Sequence, residues 1–106
     1  MRCVELESGE MKWTKEDWLG NEPETFGSAF MVENEGKYFI FNDWGELVIA
    51  KLSPEGYEEL DRAEVLIPTS TAARRKSKLI WSHPAFSGGR MYARNDEEII
   101  CVNLKK

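Results

Sequence analysis

Residues 88–106 read GGRMYARNDEEIICVNLKK, a pattern that predicts a β-hairpin. Residues 90–94 partly alternate apolar and polar side chains, Asn95-Asp96 is typical of a tight turn, and residues 98–104 are rich in β-branched side chains. A further strand should follow such a hairpin in a sheet. The sequence therefore predicts that the last strand is left without an outer partner from this chain.

The same pattern occurs earlier in the chain, which indicates an internal repeat. The matched segments, each earlier copy given before its later one, are residues 28–30 with 84–86, 36–37 with 89–90, 42–43 with 95–96, and 46–52 with 98–104. Residues 3–6 join the same register as residues 101–104. The leucines Leu6, Leu52 and Leu104 are then spaced by 46 and 52 residues. This period is typical of a four-stranded propeller blade with one loop insertion.

The complete copy of the repeat can be divided into four strands at residues 29–33, 37–42, 46–52 and 57–67. Gly45 is suited to the positive φ of the tight hairpin turn that joins the second and third strands. Pro54 and Gly56 are suited to the second and fourth positions of the next turn.

The segment 54–66 also carries a competing helical pattern. Ser53-Pro54 is a favourable helix start, and Tyr57, Leu60 and Ala63 recur at helical spacing. We predict a strand here because the repeat requires a fourth strand, and agreement with the global pattern outweighs local propensity.

These observations predict an all-β fold of about two four-stranded antiparallel propeller blades, a partial propeller. We expect residues 1–106 to form one domain, with residues 1–20 as the end of one blade. Residues 27–67 form the complete blade in this interpretation, and residues 79–106 form the start of the last blade.

Two segments resemble the quinoprotein-type (PQQ-like repeat) β-propeller family, in its C-terminal blades. Residues 5–13, ELESGEMKW, are similar to the family's Asp-Leu-x-Thr-Gly-x-x-x-Trp junction between third and fourth strands, and residues 81–104 resemble its last blade. The resemblance implies that Trp13 and Trp81 pack against neighbouring blades, whereas Trp18 and Trp44 stay unassigned. The chain departs from the family in having only one Gly-x-x-x-Trp, and it lacks the adjacent cysteines of quinone-binding members.

Composition limits the function classes. The 106 residues carry a net charge of −5, which argues against a nucleic-acid partner because phosphate binding needs a basic face. The sequence has no apolar run long enough for a membrane span. Its two cysteines are too few for a disulfide framework or a zinc site. Cys3 and Cys101 occupy matching positions two blades apart, so we expect two free, buried thiols.

Candidates for chemistry are few, and each is better explained by structure. His83 is the only histidine, so a metal site or triad built on histidine lacks partners. Asp43 and Asp96 sit in predicted turns, where such side chains bond their own backbone. The basic run 74–78 is interpreted as a solvated loop between blades. We therefore predict no catalytic, cofactor-binding or metal-ligating residue, and no cofactor.

The sequence favours a non-enzymatic propeller segment that acts as a protein or ligand interaction scaffold, within a larger PQQ-like repeat protein. The alternative is a fragment of a quinoprotein-like or hydrolytic enzyme whose catalytic residues lie in other blades. Expected partners are other blades or proteins, including a second copy of the chain through strand exchange. Residues 1–5 are unlike a signal peptide, although the family is often exported, so the sequence leaves the localisation open.

Overall fold

The computed structural model describes residues 1–15, 28–71 and 78–104, and every regular element in these ranges is a β-strand. The strands are β1 Arg2–Val4, β2 Met11–Thr14, β3 Ala29–Asn34, β4 Lys37–Asn42, β5 Glu46–Ser53, β6 Gly56–Glu64, β7 Ser70–Thr71, β8 Lys78–Leu79, β9 Ala85–Ser87, β10 Arg90–Arg94 and β11 Ile99–Asn103. The described ranges contain no helix of the length and apolarity that a bilayer crossing requires.

The strands form four antiparallel sheets, which confirms the all-β prediction. The central sheet has four strands in the order β3-β4-β5-β6, and the C-terminal sheet has three in the order β9-β10-β11. The N-terminal sheet pairs β1 with β2, and a short hairpin pairs β7 with β8. The strands predicted for the complete and last copies of the repeat are present, with ends shifted by up to three residues. Strands β7 and β8 form a short ladder at positions where the repeat predicted no strand.

The segment with competing patterns is a strand. Strand β6 pairs with β5 along its length, from Ser53 opposite Gly56 to Glu46 opposite Glu64. When β6 pairs with β5, it provides hydrogen-bond partners for the backbone groups of β5 that face away from β4. This gain outweighs the helical preference that the side-chain spacing of residues 54–66 indicates. β6 ends three residues earlier than predicted, because the N–H groups of Val65 and Leu66 donate to the Gly45 carbonyl, at 2.9 and 3.2 Å.

The central sheet packs on the C-terminal sheet through one apolar face. Each sheet has two faces. The forward face is the one on the side of the C-terminal end of the row of sheets, and the backward face is the one on the side of the N-terminal end. Phe41 and Leu47 on the forward face of the central sheet share a buried cluster with Met91 and Ala93 on the backward face of the C-terminal sheet. Alternation along each strand makes one face available to each neighbour.

The backward face of the central sheet contacts the N-terminal sheet. Ile40, Val48 and Ala50 form a second buried cluster on this face, with Met1 packed against it. Trp13 of β2 reaches the same face, where its indole N–H donates to the Ser53 carbonyl at 2.6 Å. The central sheet is therefore covered on both sides by other sheets of the chain.

The two hairpins of the repeat share their turn chemistry. The Asn42 side-chain carbonyl accepts from the N–H groups of Trp44 and Glu46, both at 3.0 Å. The matching Asn95 accepts from the N–H groups of Glu97 and Glu98, both at 2.8 Å. An asparagine that bonds the following backbone thus closes both turns, which explains the same residue in both copies.

The sequence alignment of the first strands is wrong. Phe86 pairs with Met91, whereas the residue that matches Met91 in the central sheet, Tyr38, pairs with Glu33. Phe30 lies farther from its hairpin turn and pairs with Phe41. The later copy is three residues shorter than the earlier one in this region. The difference lies in the first strand itself, since β9 has three residues and β3 has six.

Candidate interaction surfaces

His83 contacts an aromatic ring and belongs to no metal site. Its ring lies 3.9 Å from that of Phe30, centroid to centroid, in the exposed segment before β9. Within residues 1–15, 28–71 and 78–104, no group of three or more His, Cys, Asp or Glu side chains is placed to hold a metal ion. The described side chains therefore offer no metal ligand set of this kind.

Asp43 and Asp96 lie in the predicted turns, and each carboxylate bonds a neighbouring segment of the chain. Buried Asp43 accepts from the Ser28 N–H at 2.9 Å, ahead of β3. Exposed Asp96 accepts hydrogen bonds from the hydroxyls of Ser70 and Thr69, which lower the pKa of its carboxyl. The asparagine that precedes each aspartate already closes the turn, and each carboxylate bonds a segment that comes earlier in the chain.

The basic run lies mostly outside the described residues. Residues 74–77 are not described, and Lys78 is an exposed residue of β8. Trp18 also lies outside the described residues.

The described tryptophans differ in environment. Trp13 docks on the central sheet as expected, with its ring edge-on to Tyr57 at 6.3 Å between centroids. The expectation of core packing for Trp81 is wrong, because its side chain is 61% exposed. Leu79 and Ile80 occupy the buried positions just before it, which leaves Trp81 on the surface. Trp44 is half-buried, and its indole N–H has no acceptor within the described ranges.

Both thiols are free, but only one is sheltered. Cys3, opposite Trp13 in the β1–β2 ladder, is half-buried, and Cys101 is exposed. The prediction that both are buried is therefore wrong for Cys101. Cys101 lies opposite Tyr92 on the forward face of the C-terminal sheet, which no described part of the chain covers.

A polar cluster on the outer strand escaped the sequence analysis. Arg62 of β6 binds Glu59 on its own strand at 2.8 Å and Glu46 on β5 at 3.0 Å. The hydrogen bond from Arg62 lowers the pKa of Glu59, and both carboxylates raise the pKa of Arg62. The Tyr57 hydroxyl donates to Glu59 at 2.9 Å. Because Arg62 binds a carboxylate on each strand, the cluster ties β5 to β6 at the surface.

Tyr57 makes this cluster sensitive to high pH. Burial, followed by the hydrogen bond to Glu59, raises the pKa of Tyr57 from 10.0 to about 12. Between those values the folded chain binds the proton more tightly than the unfolded chain, so we expect the stabilising contribution of Tyr57 to be complete below pH 10.0 and lost as the pH rises toward 12. Urea unfolding across this range should show a shallower loss of stability for Tyr57→Phe than for the wild type. Equal slopes would contradict the raised pKa.

The two ends of the row of sheets carry exposed apolar side chains. On the forward face of the C-terminal sheet, Ile99 is 76% exposed and Tyr92 is 38% exposed. On the backward face of the N-terminal sheet, Val4 and Met11 pair with each other and are each 50% exposed. These are the faces that lack the neighbour each inner sheet has.

An open cleft of about 660 Å³ lies between the β3–β4 turn and the β9–β10 turn. Phe39, Phe86 and Leu104 provide apolar lining, and Lys37, Arg90 and nearby carboxylates lie at its edge. The cleft follows the junction of the central and C-terminal sheets. Its lining combines apolar side chains with charges of both signs.

Comparisons with known proteins add no relative to these observations. No family model, no curated protein and no solved structure matches this chain.

Proposed function

We propose that the chain is a non-enzymatic β-repeat scaffold of propeller type, which binds other protein through the faces and edges of its sheets. In this proposal its sheets are blades that resemble the C-terminal blades of the quinoprotein-type family. The proposal rests on one observation, the repeated packing of matched residues in a constant direction.

The constant direction appears when matched ladder pairs are compared. Ile40 pairs with Val48 on the backward face of the central sheet, and the matching pair in the C-terminal sheet is Ala93 with Ile100. Both pairs contact the sheet that precedes them in the chain. Face-to-face packing in one direction is how successive blades of a propeller associate, since each blade covers the next.

The titratable groups favour binding over catalysis. Perturbed pKa values in clefts are a mark of catalytic sites. In the described ranges, the resolved shifts belong to Tyr57, Glu59, Arg62 and Asp96. Local hydrogen bonds account for most of these shifts, and none of the four residues lines the cleft between the sheets. This distribution supports a scaffold whose charged groups stabilise its own strands.

A calorimetric titration tests the non-enzymatic part of the proposal. The full chain is titrated with pyrroloquinoline quinone, with Ca²⁺, with Zn²⁺, and with the quinone and Ca²⁺ together. We expect no saturable micromolar binding, because the described residues bring together no ligand set for these groups. Stoichiometric binding of the quinone would contradict the scaffold proposal and favour the alternative, a fragment of a quinoprotein-like enzyme.

A further inference from the structure

We propose that the forward face of the C-terminal sheet binds the backward face of the N-terminal sheet of a second copy of this chain, so that copies associate head to tail. This inference rests on the proposed scaffold function and names its partner. The surfaces are defined here as the forward end face, with Tyr92, Ile99 and Cys101, and the backward end face, with Val4 and Met11.

The residues of the forward end face lie together on one side of the sheet. Tyr92 lies opposite Cys101 in the ladder between β10 and β11, and Ile99 lies opposite Arg94. Met91 and Ala93 between them point to the other side and are buried. The result is an exposed surface in which Tyr92 and Ile99 lie beside Arg94, and exposed apolar side chains grouped in this way mark a site of protein association.

The repeat shows what kind of surface covers this face. Ile99 of β11 matches Leu47 of β5, and Tyr92 of β10 matches Phe39 of β4. In the central sheet, Leu47 is only 6% exposed because the backward face of the C-terminal sheet covers it. The forward end face thus matches an interface that already exists within the chain, with Arg94 in place of Phe41 and without its cover. By continuity, its cover is the backward face of a sheet.

The chain carries a backward face that is also uncovered. Val4 matches Val102, whose side chain packs against the forward face of the central sheet. Val4 and its ladder partner Met11 are each half-exposed. The two end faces therefore correspond to the two sides of the internal interface, and a second copy supplies each with the surface it lacks.

Opposite charges lie at one rim of the two end faces. Arg90 lies on the forward side of the C-terminal sheet, at the end where Leu104 donates to the Gly89 carbonyl at 2.9 Å. Leu104 matches Leu6, in the turn after β1, and that turn carries exposed Glu5, Glu7 and Glu10. In a head-to-tail arrangement the acidic turn of one copy faces the end that carries Arg90 in the next. Opposite charges at the rim orient such an association.

Two substitutions, each at one end face, test the arrangement. Ile99→Lys places a charge on the forward end face, and Val4→Lys places one on the backward end face. Both side chains are at least half-exposed, so both variants should fold, which circular dichroism checks. Sedimentation velocity at micromolar to millimolar concentration, with reductant present, should show association of the wild type and monomers for each variant alone.

Mixing the variants distinguishes head-to-tail association from other modes. Ile99→Lys keeps an intact backward end face and Val4→Lys keeps an intact forward end face, so an equimolar mixture should form a dimer and no larger species. A heterologous interface requires this rescue, whereas an interface of two identical forward end faces forbids it. A mixture that stays monomeric would overturn the inference. Ile67→Lys, at a residue 65% exposed away from both end faces, is the control and should associate like the wild type.

Cys101 gives an independent readout. Its alkylation rate should fall as the concentration of the wild type rises, because association covers the forward end face, and it should be independent of concentration in Ile99→Lys. A wild type that stays monomeric at millimolar concentration, with Cys101 alkylated at a constant rate, would overturn the head-to-tail pairing. A different result, saturable binding of the quinone or of a metal ion in calorimetry, would contradict the scaffold proposal itself.

Discussion

Replacing Gly45 with alanine is expected to abolish the native fold or to lower its free energy of unfolding by more than about 4 kcal/mol, a loss that is exceptional for one methyl group. A Cβ atom at this position would lie 1.8 Å from the carbonyl oxygen of Leu66 and 2.8 Å from its carbonyl carbon. Both are backbone atoms, so no side-chain rotation relieves the overlap. The backbone of Leu66 would have to move.

Gly45 holds this position because three constraints meet there. Its φ is +80°, a conformation that side chains with a Cβ rarely adopt. Its carbonyl accepts from the N–H groups of Val65 and Leu66 and so ends strand β6. Leu66, 2% exposed, belongs to the cluster between the central and C-terminal sheets. Displacing Leu66 would therefore disturb the end of one sheet and the core shared by two.

Gly36→Ala is the matched control. Gly36 has a φ of +78° in the β3–β4 turn, and a Cβ atom there meets no atom within 4 Å. Its substitution should cost only the backbone strain of about 1–3 kcal/mol. Urea unfolding followed by circular dichroism measures both variants. Equal losses would show that the Leu66 contact is relieved at little cost and would contradict the prediction.

These two glycines illustrate what local sequence contains. The positive φ of Gly45 is predictable from the Asn42–Gly45 turn, since hairpin turns of that kind need such a residue. The approach of Leu66 is not predictable, because it depends on how the chain turns after a strand that ends 19 residues later at Glu64. Most of the features that the sequence did not predict depend on contacts between segments that are distant in sequence.

The same reason explains the other corrections. The repeat correctly predicted a strand at Gly56–Glu64 against its helical spacing, because the matching copies carry non-local information. The repeat aligned Phe86 with Phe30 incorrectly. The later copy is three residues shorter after its phenylalanine, and the sequence does not determine whether the gap falls in the turn or within the strand. Trp81 and Cys101 are large or weakly polar and so suggest burial, but their exposure depends on which sheet faces are covered.

The candidate surfaces were only partly predictable. The unpaired last strand indicated an incomplete end to the sheet, and the match of residues 3–6 with 101–104 linked the two ends of the chain. The pairing of Arg62 with Glu46 was hidden because the two residues are 16 positions apart and meet only through the β5–β6 ladder. The charged residues of β6, together with Glu46 at the start of β5, were the signal that could have found it.

Replacing Met91 with alanine is the second large expected effect, and it tests whether the sheets unfold as one unit. The Met91 side chain is 0% exposed and lies in the cluster shared by the central and C-terminal sheets. Truncation leaves a cavity in this cluster and should cost about 2–5 kcal/mol of unfolding free energy. Tyr92→Ala, at the next residue but on the exposed forward end face, is the matched control and should cost about 1 kcal/mol or less.

The positions at which Met91→Ala speeds amide hydrogen exchange show whether the two sheets unfold together. If the two sheets form one cooperative stack, Met91→Ala should speed amide hydrogen exchange at Ile40 and Phe41 in β4 as much as at Tyr92 and Ala93 in β10. Each of these amides then exchanges through the same global opening, whose free energy the cavity lowers. Faster exchange confined to β10 would show that the C-terminal sheet opens alone. The repeated face-to-face packing would then not join the sheets into one folding unit, and the scaffold would lose the shared core on which its stacked blades depend.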